Sequence, residues 1–104
     1  MDSQTLKDAE AEAAAVATAP RVTLEGMEAK IDEAYYIQPH NTSLTLCVLK
    51  MRNGFYVVGE SAAASIANFN AELGKKFAYE NAIRQLWKLE GYALRDRLAA
   101  EGKD

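Results

Sequence analysis

One cysteine, one histidine and two prolines are all that 104 residues hold of those types. The lone Cys47 excludes an internal disulfide, and its place in an apolar run suits a small buried residue of a reducing compartment. A metal site needs several ligands, which one histidine and one cysteine do not supply, so no cofactor is expected. His40 lies in the turn segment Pro39-His40-Asn41-Thr42-Ser43, far along the chain from Cys47 and from any telling carboxylate pair. It reads as an exposed turn residue, and nucleophile–base catalysis has no support. An apolar run of roughly 20 residues, the length of a membrane span, is missing. Met1 to Thr18 carries four acids and no basic-then-apolar leader pattern, so neither a membrane nor secretion is expected. Basic excess is missing too: twelve Lys and Arg against fifteen Asp and Glu give −3, which argues against non-specific duplex binding but leaves room for a local basic pocket. Glycine-rich phosphate loops are absent, since Asn53-Gly54 is explained by a hairpin and Gly59-Glu60-Ser61 has the wrong spacing.

What is present describes a small α+β domain. At this length one domain forms, at the size where subunit association often supplies missing burial. Residues 1–20 are rich in Ala and Glu and poor in large apolar side chains, and read as a flexible or partly helical arm; residues 21–104 form the domain. Thr23 is an N-cap, and Leu24, Met27 and Ile31 fall at helical spacing, which predicts a short helix over about Thr23 to Glu33. Tyr35-Tyr36-Ile37 reads as a brief strand. Leu44 to Arg52 and Phe55 to Glu60 are β-formers around Asn53-Gly54, the preferred pair for a two-residue type I′ turn. Counting out from that turn pairs Met51 with Tyr56, Lys50 with Val57, Leu49 with Val58 and Cys47 with Glu60. Both faces of this hairpin are apolar, which predicts helices on one and, at least in part, a partner subunit on the other. Asn70 or Asn68 caps a long helix from Ala71 to about Ala99, whose core stripe is Tyr79, Ala82, Ile83, Leu86, Leu89, Ala93 and Leu94. Gly74 and Gly91 inside it each predict a close approach, a kink or a break. The expected fold is a small antiparallel sheet built on a central hairpin, packed with a short N-terminal helix and one or more long C-terminal helices.

One row on that helix could carry recognition. Phe77, Asn81, Arg84 and Lys88 are spaced by four, three and four residues, which aligns a ring, an amide and two cations beside the core stripe. A ring stacks on a base, an Asn amide pairs with an adenine-like edge, and an Arg fork holds a phosphate. From spacing alone the row reads first as a solvated face bordered by one apolar residue. Phe69 and Trp87 are open between packing and ligand stacking, and Glu80 and Glu90 read as capping or pairing residues.

The segments Asn53-Gly54-Phe55, Gly59-Glu60-Ser61-Ala62, Asn68-Phe69, Glu72-Leu73-Gly74, Glu80-Asn81-Ala82 and Trp87-Lys88-Leu89-Glu90-Gly91-Tyr92 together resemble the gp-forty-nine / gene-sixty-six family of small phage proteins, over about Val22 to Leu98. A further similarity is to the first Thoeris anti-defence family, phage proteins that capture cyclic ADP-ribose isomers made by bacterial TIR enzymes. That resemblance implies an antiparallel sheet with C-terminal helices, a homo-oligomer of two or more subunits in the host cytoplasm, and a ligand held between subunits without cleavage. It also implies that Phe69, Asn81 and Arg97 supply the aromatic, amide and arginine contacts. Two departures stand out: Ala62-Ala63-Ala64 lacks the cysteine that relatives often show, and Lys88 stands where a proline commonly follows the tryptophan. The expected function is a non-enzymatic phage anti-defence protein that sequesters a cyclic nucleotide signal, with Phe69, Phe77, Asn81, Arg84, Lys88 and Arg97 as ligand-binding residues. The alternative is a phage interaction module that binds and inhibits a host protein.

Overall fold

The computed structural model describes residues 4–16 and 19–103. It is an α+β arrangement in the order α1 (Gln4–Val16), α2 (Leu24–Ala29), β1 (Ile31–Ile37), β2 (Leu44–Met51), β3 (Tyr56–Ala62), a single 3₁₀ turn (Ile66–Asn68) and α3 (Ala71–Ala100). The three strands form an antiparallel meander in the order β1-β2-β3. Helix α3 lies across one face of β2 and β3. Between them sit Cys47, Leu49, Met51 and Val57 from the sheet, Ala78, Tyr79, Ala82, Ile83 and Leu86 from α3, and Leu24 and Met27 from α2, all buried.

Local chemistry explains most boundaries. The Thr23 hydroxyl accepts from the Gly26 amide at 2.9 Å, and the Asn70 side chain accepts from the amides of Glu72 and Leu73, so both caps sit where the sequence puts them. Helix α2 ends earlier than its spacing predicts, however. Ile31 is not a fourth helical contact but the first residue of β1, paired with Met51, and the pairing shifts between Ile31 and Glu33. The strand is therefore seven residues long rather than the brief Tyr35–Ile37 segment. Asp32 and Glu33 disguise it, because acidic residues are poor β-formers that this sheet tolerates only at its edge.

The hairpin register also differs from the two-residue count. Lys50 pairs with Tyr56, Leu49 with Val57, Val48 with Val58 and Cys47 with Gly59. The connection is longer: the Met51 amide donates to Phe55 O at 2.8 Å, the Gly54 amide donates to Met51 O at 2.9 Å, and Gly54 has φ of 90°. A three-residue loop closing on a glycine at positive φ is the next most common hairpin solution. The one-residue slip moves every β3 side chain to the opposite face, so Val57 enters the core while Tyr56 and Val58 face outward. Gly59 accounts for the choice. A Cβ there would lie 2.2 Å from Ala78 O and 2.4 Å from the Ala82 amide nitrogen, so the helix backbone rests directly on this glycine.

Helix α3 is unbroken through both of its interior glycines. Gly74 is a close approach, since a Cβ there would meet Thr45 Oγ1 at 2.4 Å, whereas Gly91 has open space around it. The stripe is buried through Leu86 but not beyond, and Leu89 is 46% exposed. The cause is length: thirty helical residues span about 45 Å, while strands of seven or eight reach only about 25 Å. The last turns of α3 overhang the sheet.

At the N-terminal end, α1 packs on α2 with Leu6 buried. Glu10 ties the two together by pairing with Arg21 and accepting from the Leu24 amide at 3.0 Å. The Arg21 hydrogen bond holds the Glu10 carboxyl below its ordinary range, outweighing the opposing effect of burial.

Candidate functional site

The overhang of α3 creates a recess. A groove of about 420 Å³ opens between the hairpin loop and the second half of α3. Met51, Leu86, Leu89 and Ala93 form an apolar floor, Phe55 and Asn53 stand on the loop side, and Lys30, Arg52 and Arg97 bring three cations to the rim. Two of these cations are anchored. Lys30 pairs with Glu90 at 2.9 Å, and Arg52 donates from Nε to Ala29 O at 2.8 Å while standing 3.9 Å from Asp32. The Arg97 side chain is exposed and has no ion-pair partner among the described residues. The rim can therefore meet an anion without first breaking a salt bridge at Arg97.

A second, smaller recess of about 180 Å³ lies at the other end of α3, lined by Phe69, Phe77, Asn68, Asn70, Ser43 and Ser61 among others. It holds the two phenylalanines singled out in the sequence. Phe77 and Arg97 are twenty positions apart on one continuous helix, about 30 Å, so no single nucleotide-sized molecule touches both within one chain.

Asn81 lies between the two recesses with its amide engaged. Its Oδ1 accepts from the Glu60 amide at 2.9 Å and from Gln85 Nε2 at 3.0 Å, and Gln85 also donates to Val58 O at 2.8 Å. The pair thereby satisfies the free edge of β3, the side without a neighbouring strand. Arg84 is exposed and 4.0 Å from the buried Glu80, and Lys88 is exposed along the same row. Trp87 is partly buried against the core. Of the six candidate residues, the fold joins Phe69 with Phe77 in one recess, holds Asn81 against β3, leaves Arg84 and Lys88 exposed on α3, and places Arg97 in the large groove.

Sequence reasoning missed Lys30, Arg52 and Phe55 as neighbours of Arg97. They come from two other segments, the end of α2 and the hairpin loop, and only the overhang of the helical stripe past the hairpin hints at a cavity there. The buried hydroxyls and thiol sit elsewhere. Burial raises the Tyr79 hydroxyl, with its hydrogen bond to Glu28 adding to the shift, and burial likewise raises Tyr36 and Cys47. A thiol shifted upward is the opposite of an activated nucleophile. Among the described residues there is no group of three or more His, Cys, Asp or Glu able to hold a metal, and no helix long and apolar enough to cross a membrane.

The profile of the phage protein (N4 Gp49/phage Sf6 gene 66) family matches residues 22–98, which covers everything from the residue before Thr23 to the overhanging end of α3. The chain belongs to that family. The matched span contains the hairpin, the β3 edge and both recesses, and it leaves α1 outside. No curated protein and no solved structure matches the chain. Family membership thus establishes a phage protein, and the function has to be argued from the site.

Proposed function

We propose that this phage protein is an anti-defence protein that binds a cyclic nucleotide-type immune signal, such as a cyclic ADP-ribose isomer, and sequesters it without cleavage. The groove at Arg97 carries the proposal. Its 420 Å³ falls within the roughly 300–1,000 Å³ of small-molecule sites, whereas the 180 Å³ recess at Phe69 and Phe77 falls below it. Its chemistry suits the same ligand class: an apolar floor and the Phe55 ring accept a base, and the Arg97, Arg52 and Lys30 rim accepts a pyrophosphate. Phe69, Phe77, Arg84 and Lys88 then serve as a second contact region, reached only by a ligand shared with another subunit. Asn81 acts by holding β3 in place.

The test is direct. The purified protein is titrated calorimetrically with cyclic ADP-ribose isomers and cyclic oligonucleotides, and the ligand is recovered after heat denaturation. Binding of one of them, lost in Arg97→Ala and in Phe55→Ala, with the ligand recovered intact, supports the proposal. The competing reading, an interaction module against a host protein, draws on the exposed apolar sheet face. It gains support if a stoichiometric host protein and no nucleotide is retained from lysate.

A further inference from the structure

The groove does not end at its rim. A further recess of about 140 Å³ adjoins it, and Lys30, Glu90 and Arg97 border both cavities. Two neighbouring stripes of α3 account for this: Leu86, Leu89 and Ala93 floor the groove, Glu90 and Leu94 line the recess, and Arg97 belongs to both. The Lys30–Glu90 ion pair, at 2.9 Å, stands on the shared border.

The recess differs from the groove in its chemistry. Arg21, Lys30 and Arg97 set three cations against the carboxylate of Glu90, and the Thr23 oxygen already accepts from the Gly26 amide, which leaves its proton to donate. Its volume lies below the roughly 300 Å³ at which a site encloses a small molecule, so it takes a charged group rather than a whole nucleotide. Arg21 is fixed beside it. Nη2 pairs with Glu10 and Nη1 donates to Val22 O at 3.3 Å, which occupies two of the five N–H donors of the fork and leaves donors for a ligand. Arg21 and Glu10 lie outside the span 22–98 that matches the family, so membership assigns them nothing.

We propose, resting on the reading of the groove as a nucleotide site, that this recess is a phosphate subsite, and that the two cavities together take a nucleoside diphosphate group. The base lies on the apolar floor, one phosphate meets the rim, and the other enters the recess against Arg21. Lys30 and Arg97, common to both cavities, face the bridge between the phosphates. Glu90 is compensated by Lys30, so the charge offered to the anion is that of Arg97 and of Arg21, whose present counter-ion Glu10 competes with the phosphate.

Calorimetric titration with inorganic pyrophosphate, AMP and ADP separates the two cavities. The wild-type chain is expected to bind pyrophosphate and to prefer ADP over AMP by about tenfold, as one further charge-assisted contact would give. Arg21→Ala should remove that preference and weaken pyrophosphate binding by a similar factor. Glu10→Gln also breaks the contact with α1 but leaves Arg21 without its competitor, so it should bind pyrophosphate more tightly than the wild type. A wild-type chain that does not bind pyrophosphate, or binds AMP and ADP equally, overturns the subsite. So does a Glu10→Gln variant weakened as much as Arg21→Ala, which would trace the loss to the anchorage of α1. Arg21-dependent pyrophosphate binding without nucleotide binding supports the recess and overturns the groove as a base site; nucleotide binding indifferent to Arg21 does the reverse.

Discussion

The amide of Glu60 donates to Asn81 Oδ1 at 2.9 Å, so a helix side chain completes the hydrogen bonding of an edge strand. Four residues on, Gln85 does the same for the carbonyl of Val58. A free strand edge is a template for unwanted pairing, and these two amides close it without adding a strand. Asn81→Ala should cost about 1 kcal/mol, the net worth of one such bond whose donor can be resolvated. Urea unfolding measures this, and a variant as stable as the wild type would remove the edge-capping role.

Gly59 makes the helix–sheet contact as close as it is. Gly59→Ala would drive a methyl into Ala78 O at 2.2 Å and the Ala82 amide at 2.4 Å, both backbone atoms that cannot rotate away. The expected loss is about 3 kcal/mol or more, at the upper end for overpacking. Thermal denaturation reads it, and Gly91→Ala, which meets nothing within 4 Å, is the control expected to stabilise α3 slightly.

Leu86 is the last buried residue of the α3 stripe and also part of the groove floor. Leu86→Ala should destabilise by roughly 2–5 kcal/mol through lost burial and the cavity left behind. Leu89→Ala, three residues on and half exposed, should cost well under half as much. Comparable losses from both in chemical denaturation would mean that the helix end is covered in solution.

Acid should release α1. The Glu10 carboxyl lies below its ordinary value of 4.5 in the folded chain, chiefly through the Arg21 hydrogen bond. A depressed folded-state pKa contributes stability that is complete above the unfolded value and fades as pH falls through the folded one. The Leu24 amide, which donates to Glu10 Oε2 at 3.0 Å, reports the change. Its proton resonance should shift with a midpoint below 4.5, and Glu10→Gln should abolish the transition.

Much of this architecture was legible in the residues. Thr23 and Asn70 are caps because their side chains satisfy orphan amides, a local property, and the stripe from Tyr79 to Leu86 is a periodic one. The register was not legible, because Asn53-Gly54 serves either a two- or a three-residue loop. The decision falls to Gly59 against Ala78 and Ala82, a contact between distant segments. Ile31 was misassigned for a similar reason: it continues the spacing of α2 but is claimed by Met51 across the sheet. The groove was not legible. Arg97 entered through the family resemblance and the phenylalanines through their type, whereas the groove depends on how far a helix of about 45 Å runs past a sheet of about 25 Å.

Calorimetric titration of the purified protein with a cyclic ADP-ribose isomer, followed by recovery of the ligand from the denatured complex, decides whether the groove captures a nucleotide. Saturable binding that Arg97→Ala abolishes while the fold is retained is expected, with recovery of unmodified ligand. Absence of binding by both the cyclic ADP-ribose isomers and the cyclic oligonucleotides, or recovery of a cleaved product, contradicts capture without cleavage.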